Sequence, residues 1–133
     1  MSVDEQTVRR IFAGLEHGDG DAFFSRVADD VDWTVMGTHP LAGRYPTKAA
    51  FRVATFARLA KVLPGGAQLN VTHLIVSGDI AVAELISRAT AQNGMRFDNH
   101  YCWVVRFVGE TIVEVRAYLD SALVAELFRQ NPI

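Results

Sequence analysis

The stretch Phe97–Asp120, FDNHYCWVVRFVGETIVEVRAYLD, decides how this chain folds. It predicts two long antiparallel strands, because β-branched and aromatic residues recur on both sides of a tight Gly109-Glu110 turn. Successive side chains of a strand point to opposite faces, so each strand carries two rows. The odd-numbered row of the first strand is aromatic with one amide, and it comprises Phe97, Asn99, Tyr101, Trp103, Val105 and Phe107.

The second strand offers a polar row and a small apolar row. The polar row comprises Ile112, Glu114, Arg116, Tyr118 and Asp120, and the apolar row comprises Val113, Val115, Ala117 and Leu119. We interpret the polar row as the wall of a cavity, because it combines a tyrosine, an arginine and a terminal carboxylate. A wholly solvated outer face is the alternative interpretation of the same row.

Composition limits the class of protein. The 133 residues predict one domain over 1–133, half of the residues are hydrophobic, and the net charge is -2. Basic residues are dispersed among acidic ones, so no nucleic-acid partner is expected. The single Cys102 excludes an internal disulfide, and no apolar run approaches the about 20 residues that span a bilayer. We therefore expect a cytoplasmic protein without a membrane partner.

The rest of the chain predicts helices early and strands late. Helices are expected over 4–17, 21–27, 47–63 and 121–129, and strands over 31–37, 68–77 and 80–91 before the final hairpin. This order is typical of the α+β class, with helices on one face of a mostly antiparallel sheet. Twist curves long strands, so the sheet and the N-terminal helices should form a cone with a pocket of small-molecule size.

Several motifs resemble the SnoaL-like branch of the nuclear transport factor 2-like superfamily, which contains polyketide cyclases and ketosteroid-isomerase-related proteins. The motifs are Ile11-Phe12, Trp33-Thr34-Val35-Met36-Gly37, Gly43-Arg44-Tyr45, Asn99-His100-Tyr101 and Glu114-Val115-Arg116-Ala117-Tyr118-Leu119-Asp120. The resemblance covers essentially the whole chain and implies the conical fold described above.

The resemblance also implies a catalytic group. In SnoaL-like cyclases, a carboxylate near the end of the last strand faces the cavity as the acid/base group, and Asp120 occupies that position. Tyr101, Asn99 and Tyr118 would hold a developing oxyanion or position a water. The alternative for Asp120 is the N-cap of the closing helix, a role that aspartate often takes.

Further residues are candidates for ligand binding. Glu84 shares a strand face with Ile86, and Arg116 is its expected partner in a desolvated ion pair. An exposed cross-strand pair is the alternative. His39 precedes Pro40 in a loop at the expected cavity mouth. The complete predicted ligand-binding set is Trp33, Val35, His39, Phe56, Glu84, Ile86, Arg116 and Tyr118.

Metal and cofactor motifs are missing from the sequence. The four histidines and one cysteine show no HxH, HExxH or CxxC spacing, and no glycine-rich phosphate loop follows a strand. We therefore expect neither a metal nor a cofactor.

Two functions fit these patterns. The first is a cofactor-independent enzyme that acts on an apolar carbonyl, epoxide or polycyclic molecule by carboxylate acid/base chemistry. The second is a non-catalytic binding or interaction domain whose cone stores a ligand or is filled by side chains. We also expect a homodimer through the convex face, formed by Val113, Val115, Ala117 and Leu119 beside Ala81, Ala83 and Leu85.

Overall fold

A six-stranded sheet organises the computed structural model, which describes residues 2–17 and 20–133. The strand order is β2-β1-β8-β7-β4-β3, and a separate pair is formed by β5 and β6. Neighbouring strands are antiparallel except β1 and β8, which run parallel. The predicted α+β class with a curved, mostly antiparallel sheet is confirmed. The strands are β1 (Val27–Val35), β2 (Gly43–Tyr45), β3 (Asn70–Ser77), β4 (Ile80–Ile86), β5 (Ala89–Thr90), β6 (Arg96–Phe97), β7 (His100–Val108) and β8 (Thr111–Leu119).

The helices cover one face of this sheet, which we call the inner face. They are α1 (Glu5–Ala13), α2 (Asp21–Phe24), α3 (Lys48–Ala54), α4 (Phe56–Val62) and α5 (Ser121–Gln130). In α1 the carboxylate of Asp4 accepts from the Thr7 N–H at 2.8 Å, and the buried side chains include Val8, Ile11 and Phe12. This apolar side packs on the aromatic row of β7, where the rings of Phe12 and Trp103 lie 6.2 Å apart.

The expected single helix over 47–63 is interrupted at Thr55. The Thr55 backbone has φ -122° and ψ -77°, and its hydroxyl donates to the Phe51 carbonyl at 2.7 Å. The break changes the helical phase, so Phe51 is buried whereas the apolar side chain of Val53 is 69% exposed. Two short helices therefore replace one long helix.

Other boundaries also differ from the sequence prediction. The loop over 38–46 contains the edge strand β2, which pairs with β1 from Trp33 to Val35. The first strand of the predicted hairpin is divided between β6 and β7 by Asp98 and Asn99.

The face assignment of β8 was wrong. Ile112, Val115 and Ala117 lie on the inner face, whereas Arg116 and Tyr118 point outward. A bulge opposite Arg106 and Phe107 shifts the alternation, so Ile112 also faces inward. The charged row remains outside because burying it would remove its side chains from water.

The predicted dimer surface was wrong for the same reason. Ala81, Ala83, Leu85, Val115 and Ala117 are each at most 4% exposed, because they form the inner face under the helices. These five residues belong to the core of one chain.

No helix within the described ranges is long and apolar enough to cross a membrane.

Candidate functional site

A small apolar cavity lies between the inner face and helices α3, α4 and α5. Its free volume is about 40 Å³, which is room for a few water-sized molecules. The lining residues are Trp33, Val35, Leu41, Phe51, Thr55, Phe56, Leu59, Ala67, Leu69, Phe97, Tyr101, Trp103, Ala117, Leu119 and Val124. Most of the cone is thus filled by its own side chains.

Aromatic rings form one wall of the cavity. Trp33 and Phe51 stack with centroids 3.8 Å apart and an interplanar angle of 20°. Trp103 meets Trp33 edge to face at 5.2 Å. These contacts join β1, β7 and α3, so the position of α3 determines the width of the cavity.

Trp33 also brings a polar atom to this wall. The residue is 0% exposed, and no described nitrogen or oxygen forms a hydrogen bond with its Nε1 atom. Buried indole N–H groups usually have an acceptor.

Tyr101 contributes a second neutral donor. Its hydroxyl lies 3.3 Å from the Ser87 Oγ, and burial raises the pKa of Tyr101 to about 12. The phenol therefore stays protonated near neutral pH. Tyr101 also lines a groove of about 410 Å³ at the ends of β4 and β7, so its side chain separates this groove from the cavity.

The cavity lining contains no aspartate, glutamate, histidine, lysine or arginine among the described residues. An unpaired charge would be strongly disfavoured in such surroundings. The arrangement can enclose a neutral apolar molecule and offer hydroxyl and N–H donors, whereas a charged acid or base would have to come from outside the lining.

The predicted site residues divide between the two faces of the sheet. Four of the predicted site residues line the cavity, namely Trp33, Val35, Phe56 and Tyr101. Their contact with a ligand stays a prediction.

Four other candidates lie on the outer face, namely Glu84, Ile86, Arg116 and Tyr118. Glu84 pairs with His73 at 3.1 Å, and Arg116 pairs with Glu114 at 3.4 Å. The predicted Glu84–Arg116 pair was wrong, because strand β7 lies between the two residues. Both side chains are about half exposed, so neither charge is desolvated.

The Asn99 side chain forms hydrogen bonds with backbone groups. It is 0% exposed, and its Oδ1 accepts from the N–H groups of His100 at 2.7 Å and Asp120 at 3.0 Å. Its Nδ2 donates to the Asp120 carbonyl at 3.4 Å. Asn99 therefore joins the start of β7 to the end of β8 by hydrogen bonds. It is not among the described residues that line the cavity, and its catalytic role stays a prediction.

Asp120 is exposed and caps α5, with its carboxylate accepting from the Leu123 N–H at 3.2 Å. The expectation that Asp120 faces the apolar cavity was wrong, because the chain turns outward after Leu119 and the inner position is taken by Val124 of α5. Its catalytic role stays a prediction.

Changes at Asp120 should separate the two roles. Asp120→Ala should lower the free energy of unfolding by about 1 kcal/mol, whereas Asp120→Asn should cost only a few tenths, since asparagine also caps helices. Urea unfolding of both variants measures this difference. Equal stability of the alanine variant and the unsubstituted protein would contradict the capping role. A loss of turnover in Asp120→Asn with stability retained would support the catalytic one.

The buried His39 side chain stabilises the loop after β1 by hydrogen bonds to the backbone. Its Nδ1 accepts from the Leu41 N–H at 3.1 Å, and its Nε2 lies 2.9 Å from the Met36 carbonyl. These partners identify the neutral tautomer with the proton on Nε2. Both ring nitrogens are thus occupied by backbone, and His39 is absent from the cavity lining, contrary to its predicted position at the mouth.

The stability of this loop should depend on pH. Desolvation lowers the pKa of His39, and the hydrogen bond to the Met36 carbonyl opposes this shift less strongly. The unfolded chain therefore binds the proton more tightly, so the stabilisation is fully present above the unfolded pKa of about 6.5 and is lost as the pH falls through the folded pKa. Unfolding of the unsubstituted protein and His39→Gln between about pH 8 and pH 5 checks this expectation. Parallel pH profiles would contradict it.

Several lining residues were missed by the sequence analysis, notably Phe51, Thr55, Leu59 and Val124. Phe51 and Leu59 lie on the buried sides of two separate helices, and this can be recognised only when the predicted helix is divided at Thr55. Val124 is the first apolar residue of α5 on the side that turns back to the sheet. A search for alternative helical phases would have found Phe51 and Leu59.

Residues 8–115 match the SnoaL-like domain family. The dimerizing cyclase phiC from a fungal species (strain ATCC 74256) is 27% identical over 135 residues, which cover 98% of this chain. The chain spans only 59% of the length of that relative.

Solved structures show the same fold. A nuclear transport factor 2-like protein from Burkholderia thailandensis superposes with a TM-score of 0.76 at 24% identity, covering 92% of this chain and 95% of that one. A protein from Catenulispora acidiphila with a ketosteroid isomerase-like fold, solved with trimethylamine, gives 0.72 at 15% identity and covers 92% and 91% of the two chains. Because the family match extends from α1 into β8 and the fold agrees, this chain belongs to the family of SnoaL-like domains.

Proposed function

We propose that this protein binds a neutral, ring-bearing small molecule in the cavity and promotes a cyclase- or isomerase-type rearrangement by enclosing it. The observation that carries the proposal is the lining, which is apolar and rich in aromatic rings and includes no charged side chain among the described residues. Apolar pockets with a few placed polar groups are typical of small-molecule sites. The similarity to a protein named a dimerizing cyclase supports the type of reaction.

Tyr101 would act as the neutral hydrogen-bond donor of such a reaction. A phenol with a pKa of about 12 keeps its proton near neutral pH and can polarise a carbonyl oxygen of the ligand. The hydroxyl contacts Ser87 at 3.3 Å, a long hydrogen bond that a ligand acceptor can replace.

The cavity must widen before it accepts a ring. An engineered apolar cavity of about 150 Å³ holds benzene, whereas the cavity here has about 40 Å³. Helices α3 and α4 can supply the extra volume, because they carry Phe51, Phe56 and Leu59 into the cavity and are joined at the break at Thr55. The proposed binding therefore requires a shift of α3 and α4 that enlarges the cavity.

A non-catalytic ligand-binding domain is the second candidate. It is favoured by the small free volume and by the exposure of Asp120, since no carboxylate of the described residues lines the cavity.

A matched panel of ligands tests the proposed function. Indane and indanone are neutral, and indanecarboxylate adds one negative charge to the same ring system. The neutral compounds should bind and raise Tm, because a ligand that binds only the folded state stabilises it by mass action. The anion should bind at least about tenfold more weakly, because its charge finds no partner in the cavity. Equal binding of the anion, or no binding of either neutral compound, would overturn the proposal.

We further propose a homodimer through the outer face of the sheet. Ile75, Val82 and Val104 lie side by side on β3, β4 and β7, and Ile75 is 66% exposed. Sedimentation at micromolar concentration should give about twice the chain mass of 14.7 kDa. A species with the mass of one chain would rule this out.

A further inference from the structure

The indole N–H of Trp33 has no role in the fold that the structure shows. The residue is 0% exposed, and no described nitrogen or oxygen accepts a hydrogen bond from Nε1. Folding therefore removes this donor from water without replacing its hydrogen bond. Trp33 lines the cavity, but less than 1 Å² of its Nε1 atom is accessible, so a bound molecule can supply the missing acceptor only when the cavity widens beside the indole.

Trp33 and Tyr101 lie at different depths of the cone. On β8, Trp33 is opposite Val115, whereas Tyr101 is opposite Leu119 at the end of the strand. Four residues of strand correspond to about 13 Å between the backbone positions, while the ring centroids of Trp33 and Tyr101 lie 5.2 Å and 6.4 Å from that of Trp103. Tyr101 also borders the outer groove, so it marks the mouth and Trp33 marks the deep end.

We propose that the Trp33 N–H determines specificity, and that the ligand is an apolar ring compound whose deeply inserted end carries a neutral hydrogen-bond acceptor such as a ketone oxygen. This inference rests on the proposed function, because it names the ligand class of the same cavity. The acceptor is neutral because none of the described lining residues carries a charge that could balance another.

A site with an unpaired buried donor discriminates strongly between two ligands that differ only in the acceptor. The hydrocarbon analogue leaves the donor unsatisfied, whereas the ketone satisfies it. The competing possibility is that the N–H is satisfied by an aromatic ring, since Trp103 meets Trp33 edge to face at 5.2 Å and 82°. In that case the ketone gains nothing from Trp33.

The experiment compares the Kd values of indane and indanone for the unsubstituted protein and for Trp33→Phe. Comparing the ratio of the two Kd values between the two proteins cancels the difference between the ligands in the cost of leaving water. We expect the preference for indanone to fall about tenfold in Trp33→Phe. Phe51→Leu is the matched control, because it also changes the stacked pair but keeps the N–H, and it should preserve the preference.

A second measurement needs no change at Trp33. The chain has two tryptophans, and Trp103→Phe assigns their two indole N–H resonances. Indanone should move the Trp33 resonance in the direction of stronger hydrogen bonding, whereas indane should not.

The outcomes separate the inference from the proposed function. If neither compound binds the unsubstituted protein, the proposed function itself fails. A second outcome is that both compounds bind but Trp33→Phe leaves the preference for indanone unchanged, or that both compounds shift the Trp33 resonance alike. Trp33 then donates no hydrogen bond to the ligand. The inference is overturned, while the proposed binding function stands.

Discussion

Replacing Phe51 with alanine should lower the free energy of unfolding by about 3–5 kcal/mol, because a buried aromatic side chain is lost and a cavity remains. Phe51 is 3% exposed and contacts Trp33, Phe24, Tyr45 and Phe56. The new space joins the existing cavity, so benzene should bind the variant and restore part of the lost stability.

Urea unfolding with and without benzene measures both effects. Val53→Ala is the control, because it lies on the same helix but is 69% exposed and should change stability by less than about 0.5 kcal/mol. A Phe51→Ala protein of normal stability, or one that benzene does not stabilise, would show that α3 does not wall the cavity.

Replacing Asn99 with alanine should cost about 2–4 kcal/mol, because two backbone N–H groups lose the acceptor that they share. These groups belong to His100 and Asp120, at the start of β7 and the end of β8. Asn99 is 0% exposed, so water cannot replace the amide without rearrangement of the chain.

Asn93 provides a matched control. It is an exposed turn residue whose Oδ1 also accepts from a backbone N–H, that of Met95 at 3.1 Å. Asn93→Ala should cost less than about 1 kcal/mol, because water can reach the freed groups. Similar losses in the two variants by urea unfolding would contradict the special role of Asn99.

The alternation of β7 could be predicted from the sequence, and that of β8 could not. In β7 one row is aromatic and contains no charged residue, so burial decides its face. In β8 both rows contain residues that can be either buried or exposed. We interpreted the polar row as the cavity wall because Tyr118 and Arg116 resembled ligand-binding groups. The helices supply enough aromatic surface to bury the small row around Val115 and Ala117, and the charges stay in water.

The site was harder to predict than the fold because it depends on packing over long sequence separations. The apolar pattern could place Trp33, Val35 and Phe56 on the cavity wall, since these positions are apolar whichever register is chosen. It could not show that the Asn99 amide is used by the backbone of Asp120, 21 residues away. It also could not show that Thr55 divides the helix and brings Phe51 against Trp33.

Filling the cavity tests the central claim most directly. Ala117 lines it and is 4% exposed, so Ala117→Leu should place a larger side chain in the free volume of about 40 Å³. Circular dichroism and urea unfolding show whether the variant is folded, and isothermal titration with indanone then compares it with the unsubstituted protein. The account predicts binding to the unsubstituted protein and a loss of at least about tenfold in Ala117→Leu, since overpacking removes the space for the ring. Equal affinity of the two folded proteins would contradict it, because the ligand would then bind outside this cavity.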